Sequence, residues 1–191
     1  MIDYFALLKQ PRRPWLDQEE LKQKYQELTL ATHPDRIDLE SAPSNFANVN
    51  EGYRVLSSPR LRLQHLLSLE GIETSKGVQP SSSEFSDLFL AAGDLIHEID
   101  RLLEKIRNAE NALSKSLLRS AILDQQKRAG AIADQLRQLY ENVLQELRAE
   151  NEHWIDERAK VLARLPDLRR RLVYLKRWIE QIEERQFQLS V

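Results

Sequence analysis

Apolar positions fall in two regimes along the 191 residues. In the first they form short helical stretches. Tyr4-Phe5-Ala6-Leu7-Leu8 precedes a break at Pro11 to Pro14, and Leu16 to Ala31 carries Leu21, Tyr25, Leu28 and Leu30/Ala31 on one side. After a loop over Ile37 to Ser44, Phe46, Val49, Tyr53 and Leu56 mark another helix, and Arg62 to Gly71 follow Pro59 as a last short one. In the second regime the spacing lengthens to heptads. One seam runs through Phe85, Leu88, Ala92, Leu95, Ile99, Leu102, Ile106 and Leu113, and another through Ile122, Ala129, Ile132, Leu136, Leu139, Val143 and Leu147. A third follows Leu165, Leu168, Leu172, Leu175, Ile179 and Ile182. Seams of this kind cannot stay in water, and three of them predict an antiparallel three-helix bundle. A single long coiled coil competes, but breaks at Asn151 and Pro166 favour folding back.

Between the regimes, Gly71 to Ser83 collects Gly71, Gly77, Pro80 and several serines. The division expected is therefore 1–70, a linker over 71–83, and 84–191. With only five glycines and no alternating run, the chain reads as all-α.

The helix starts and stops carry the first chemical signal. Asp17-Gln18-Glu19-Glu20 reads as an N-cap with an acidic capping-box partner. At the other end of that helix stands His33-Pro34-Asp35. Pro34 disfavours helix in the residue before it, so the helix should stop near Thr32 and present His33 and Asp35 from a helix-to-helix loop. Alone, the triplet also fits an ordinary loop with a solvated His and a turn-forming Asp.

Composition excludes several classes. The chain has no cysteine, so it can form neither a disulfide nor a thiolate metal or cluster site. Its four histidines (His33, His65, His97 and His153) show no metal-ligand spacing. A net charge of −2 gives no general drive toward nucleic acid or anionic lipid. The basic residues Arg158, Lys160, Arg164, Arg169, Arg170, Arg171, Lys176 and Arg177 spread around their helix among Asp156, Glu157, Asp167 and Glu180, as on a solvated face. No glycine-rich phosphate loop or clustered nucleophile and base supports an enzyme. Met1-Ile2-Asp3 enters the first helix at once and no run approaches membrane-spanning length, so a cytoplasmic protein is expected.

The first 70 residues resemble a J-domain. The Tyr4-Phe5 opening, His33-Pro34-Asp35, the Asn50…Tyr53…Leu56…Pro59 series and Arg62 carry the resemblance. The ending Leu66-Leu67-Ser68-Leu69-Glu70-Gly71 resembles the HscB branch, co-chaperones of iron–sulfur cluster assembly. The second half resembles that branch through Asn151-Glu152-His153-Trp154, read as the start of the third bundle helix, and through Leu175…Ile179…Ile182-Glu183-Glu184. Pro166 departs from it and is expected to kink that helix or split a short one from it.

The resemblance implies a J-domain followed by a three-helix bundle, with no cofactor. It implies a non-enzymatic co-chaperone that stimulates ATP hydrolysis by a DnaK/HscA-type chaperone and delivers a client, the iron–sulfur scaffold protein. His33, Pro34 and Asp35 would carry the stimulation, Asp35 through a charge-assisted hydrogen bond to an arginine of the chaperone. Pro34 would restrict the loop. The preceding helix departs from the strongly basic helix of general J-proteins. Lys22 and Lys24 are its only cations, against Asp17, Glu19, Glu20 and Glu27, although Arg12, Arg13 and Arg36 flank it. Weaker, more salt-sensitive binding to a general DnaK and a dedicated HscA-like partner follow.

Client binding would fall on Phe89, Leu90, Asp94, His97 and Phe187. Leu90, Asp94 and Phe187 keep the family's apolar or acidic character, His97 and the adjacent Gly93 do not, and Phe89 and Leu90 read equally well as bundle packing. Two alternatives stand beside this reading: an adaptor for a different client, and a helical scaffold whose J-like half no longer binds a chaperone.

Overall fold

The computed structural model describes residues 1–31, 42–72 and 86–190, and every regular element among them is helical. The helices are α1 (Tyr4–Leu7), α2 (Gln18–Ala31), α3 (Ala42–Ser57), α4 (Pro59–Leu69), α5 (Ser86–Arg107), α6 (Ala112–Glu152) and α7 (Arg158–Ser190). Helix α1 is short but capped. Asp3 Oδ1 accepts from the Phe5 and Ala6 amides at 3.0 and 3.3 Å, and Arg12 holds Oδ2 at 2.6 Å. Asp17 caps α2 as expected, accepting from the Glu19 and Glu20 amides at 2.9 Å each. Helix α3 begins two residues before the expected loop end at Ser44, because Pro43 sits in its first turn, where a missing N–H is tolerated.

The sequence pattern puts the start of the third bundle helix at Asn151, and here the structure differs. Asn151 and Glu152 end α6, and α7 starts only at Arg158. Trp154 lies in the intervening turn, where it is 4% exposed. Pro166 neither splits α7 nor ends it.

The chain forms two compact units, Met1–Val78 with Leu144–Arg170, and Gln79–Val143 with Arg171–Val191. This grouping differs from a division of the chain at 70 and 84. Helices α6 and α7 are 41 and 33 residues long, and each contributes to both units.

In the first unit Phe5, Leu8, Leu16, Leu21, Val49, Leu56, Leu63, Leu66 and Leu67 form the core, joined by Leu147, Trp154, Val161, Leu165 and Leu168 from α6, α7 and their turn. In the second unit α5 buries Ala92, Leu95, Ile96, Ile99 and Leu102. Helix α6 buries Ala129, Ala133, Leu136 and Val143, and α7 buries Leu172, Leu175, Ile179 and Ile182. The third seam read from the sequence is thus buried at all six positions. In the second seam Ala133 takes the inward place of Ile132, which is half-buried, and Leu113 of the first seam is 72% exposed. Phe85 lies outside the described residues.

Side-chain pairs fix the directions. Gln126 bonds the Leu189 carbonyl and Arg137 bonds Glu183, so α6 and α7 run antiparallel. Phe89 meets Tyr174 and Asp100 meets Arg185, so α5 and α7 run parallel. The second unit is an up-down-up bundle.

Candidate functional site

His33, Pro34, Asp35 and Arg36 lie outside the described residues. The structure does show what carries that segment. Helices α2 and α3, which bracket it, are joined by Tyr25 stacked on Tyr53 at 4.2 Å, with the Tyr25 hydroxyl donating to Asn50 Oδ1 at 2.9 Å. Gly52 lets α1 approach α3: a Cβ there would stand 3.2 Å from the Tyr4 ring. Of the two α2 lysines, Lys22 is exposed and Lys24 is engaged by Glu27 at 2.9 Å. Glu19 and Glu20 occupy the first turn, so the exposed side of α2 is not basic.

Helix α4 anchors the unit through two polar residues in its core. Arg62 is fully buried. Its Nε donates to the Pro14 carbonyl at 2.9 Å and Nη1 to the Leu56 carbonyl at 2.7 Å, and the guanidinium lies 5.9 Å from the Trp15 ring centre. It thereby ties the α1–α2 connection to the end of α3. The backbone break at Pro11 to Pro14 leaves a carbonyl with no helical partner, and a buried guanidinium supplies the donor.

His65, one turn away, is a buried acceptor. The Tyr4 amide donates to its Nε2 at 3.1 Å, and the ring packs against Tyr4 (4.8 Å) and Phe5 (5.7 Å). The imidazole is therefore neutral with its proton on Nδ1. Burial holds its pKa below the ordinary 6.5, and Asp3 opposes that only in part. No sequence signal points to this role, because a histidine within an apolar helix has no spacing to mark it.

The Glu70-Gly71 ending has a mechanical explanation. Gly71 has φ +71°, the Ile72 amide bonds the Leu67 carbonyl at 2.9 Å, and the Gly71 amide bonds the Ser68 carbonyl at 3.2 Å. This is a Schellman cap, which needs a residue tolerant of left-handed backbone.

On the second unit the expected client-binding residues separate into three places. Leu90 (68% exposed), Asp94 and His97 share one outward stripe of α5 at helical spacing. Phe89 does not join them. It packs edge-on to Tyr174 at 4.5 Å and near Trp178 at 5.9 Å. Gly93 lies under this cluster, and a Cβ there would make an ordinary contact with the Trp178 ring at 3.6 Å. Phe187, also 68% exposed, lines a groove of about 520 Å³ with Leu103, Ile106 and Arg107. Leu103 is about 20 Å along α5 from Leu90 at 1.5 Å per residue. The aromatic cluster escapes a reading of the sequence because Tyr174 and Trp178 fall between seam positions.

Among the described residues no group of His, Asp and Glu could hold a metal ion, and no helix is long and apolar enough to cross a membrane.

Residues 3–65 match the DnaJ domain family. With helices α1 to α4, a buried arginine anchor and a sequence that carries His-Pro-Asp between α2 and α3, the chain belongs among the J-domain proteins. Comparison with known proteins narrows the class. The chain is 30% identical over 158 residues to the co-chaperone protein HscB homolog of Shewanella frigidimarina, covering 72% of this chain and 89% of that one. It is 32% identical over 119 residues to the co-chaperone protein HscB of Proteus mirabilis, covering 59% and 67%. The chain belongs to the HscB family of co-chaperones. The solved chaperone HscB from Vibrio cholerae shares its fold, with a TM-score of 0.65 at 21% identity over 98% of this chain and 99% of the other.

Proposed function

We propose that this co-chaperone stimulates ATP hydrolysis by a DnaK/HscA-type chaperone and presents to it a bound client, the iron–sulfur cluster scaffold protein. The observation that carries the reading is the J-type mount that flanks His33-Pro34-Asp35 in the chain: α2 and α3 joined by Tyr25, Tyr53 and Asn50, with Arg62 of α4 bonding the end of α3 and the Pro14 carbonyl ahead of α2. Asp35 supplies a carboxylate for an arginine of the chaperone, His33 a hydrogen-bonding contact, and Pro34 restricts the chain between them. Nothing in this step is catalysis by the chain itself, because the hydrolysis belongs to the partner. With Lys24 engaged by Glu27, steering rests on Lys22, Arg13 and Arg36, so the association is weak against a general DnaK and salt-sensitive.

Client binding falls on the Leu90–Asp94–His97 stripe, whose apolar and acidic groups are free of bundle packing. The separation of Phe187 from that stripe favours, as a second reading, an adaptor for a different client. Single-turnover ATP hydrolysis by the host's DnaK-type chaperones tests the first claim. Stimulation by the wild type and none by His33→Gln supports it; no stimulation of any of them sinks it. Capture of the purified scaffold protein, lost in Leu90→Asp, tests the second.

A further inference from the structure

The α6–α7 turn sits in the same compact unit as the J-domain helices, and its contacts there are specific. Asn151 Oδ1 accepts from the Trp15 amide at 3.2 Å. Arg158 bonds Glu70 at 2.6 Å, at the C-cap of α4, and its guanidinium lies 4.8 Å from the Trp154 ring centre. Arg169 donates to Gln64 on α4 at 3.1 Å.

The Arg158 and Arg169 contacts hold the turn to α4, and the Asn151 contact reaches one short stretch ahead of α2. Pro14 and Trp15 lead through buried Leu16 to Asp17, the N-cap of α2. The Pro14 carbonyl is held by Arg62 and the next amide by Asn151. Neither group belongs to a helix, so the entry to α2 is fixed from two sides by side chains. Helix α2 bears Lys22 and Lys24 and ends at Ala31, two residues before His33.

We propose that Asn151, together with Arg158, is a positioning residue for stimulation of the chaperone's ATPase. The turn between the two longest described helices, in the half of the chain assigned to the client, sets the angle at which α2 is offered to the chaperone. This rests on the function proposed above. Releasing the Trp15 amide leaves the entry to α2 to be ordered only on binding, which weakens association without altering the stimulated step.

The test titrates the full chain into single-turnover ATP hydrolysis by the DnaK-type chaperone that responds to the wild type. Asn151→Ala should raise the half-saturating concentration roughly three- to tenfold, the scale of one lost hydrogen bond, and leave the plateau unchanged. Asn151→Asp keeps an acceptor oxygen and should restore the wild-type curve. Amide exchange at Trp15 should quicken in Asn151→Ala and not in Asn151→Asp. Should Asn151→Ala unfold at the assay temperature, Arg158→Gln opens the second anchor and is held to the same criteria. A wild-type half-saturation in Asn151→Ala or in Arg158→Gln, or Asn151→Asp as impaired as Asn151→Ala, overturns the proposal. No stimulation by the wild type instead overturns the function on which it rests.

Discussion

Replacing Arg62 by methionine removes the guanidinium and keeps most of the apolar stem. Two opposed effects decide the outcome. Burying a guanidinium costs several kcal/mol, and that cost disappears in the variant. Against this, two hydrogen bonds from a charged donor are lost, each about 1.5–3 kcal/mol. The Pro14 and Leu56 carbonyls also remain in the core, and each acceptor left without a donor costs about 1–3 kcal/mol. Pro14 itself is buried, so water cannot readily take the place of the guanidinium there. The losses win, and the first unit should be about 2–4 kcal/mol less stable. Arg62→Lys should do no better, since one ammonium cannot span two carbonyls that the planar fork reaches through separate nitrogens. The three tryptophans allow a selective assay, because Trp15 and Trp154 lie in the first unit and Trp178 in the second. In a Trp178→Phe background, fluorescence during urea unfolding reports the first unit alone. The midpoint should fall by about 1–2 M for a slope of about 2 kcal/mol/M. A midpoint at or above that of the background protein would show that desolvation of Arg62 outweighs its bonds, and would refute the reasoning.

His65 makes the same unit sensitive to acid. Its pKa is lowered by burial, so below about pH 6.5 the unfolded chain takes the proton first, and stability falls with pH until the folded imidazole is protonated too. The urea midpoint should therefore drop between about pH 7 and about pH 5, and His65→Gln, which can still accept from Tyr4, should flatten this part of the profile; an unchanged slope in that variant would count against it. On the second unit, Phe89→Ala should lower bundle stability by about 3 kcal/mol by opening the Tyr174–Trp178 cluster, whereas Leu90→Asp should leave it within about 0.5 kcal/mol. Thermal melts of the two variants check this, and equal losses would place Leu90 in the packing as well.

The contrast between what the sequence discloses and what it hides follows from the range of the interactions. Asp17 and the third seam are legible because an N-cap and a heptad are local: each is recognised within one or two turns, and each is buried or bonded as expected. Ile132 and Ala133 show where that approach loses resolution, since a helix of 3.6 residues per turn drifts against a heptad. Trp154 reads as part of a helix start because nothing within a turn of it reveals that its burial is supplied by another part of the chain. Asn151 carries the same lesson further. A carboxamide near a helix end reads as a terminator, and it does stand at the end of α6, but its side chain is used by an amide 136 residues away. That amide needs a partner because Pro11 to Pro14 prevent the local backbone from providing one. The proline-rich break, which looks like a simple interruption between two helices, is therefore the reason that distant polar residues must be drawn in. Arg62 and Asn151 answer the same local deficit from distant parts of the sequence, and a chain cut after α4 would keep only the first of them.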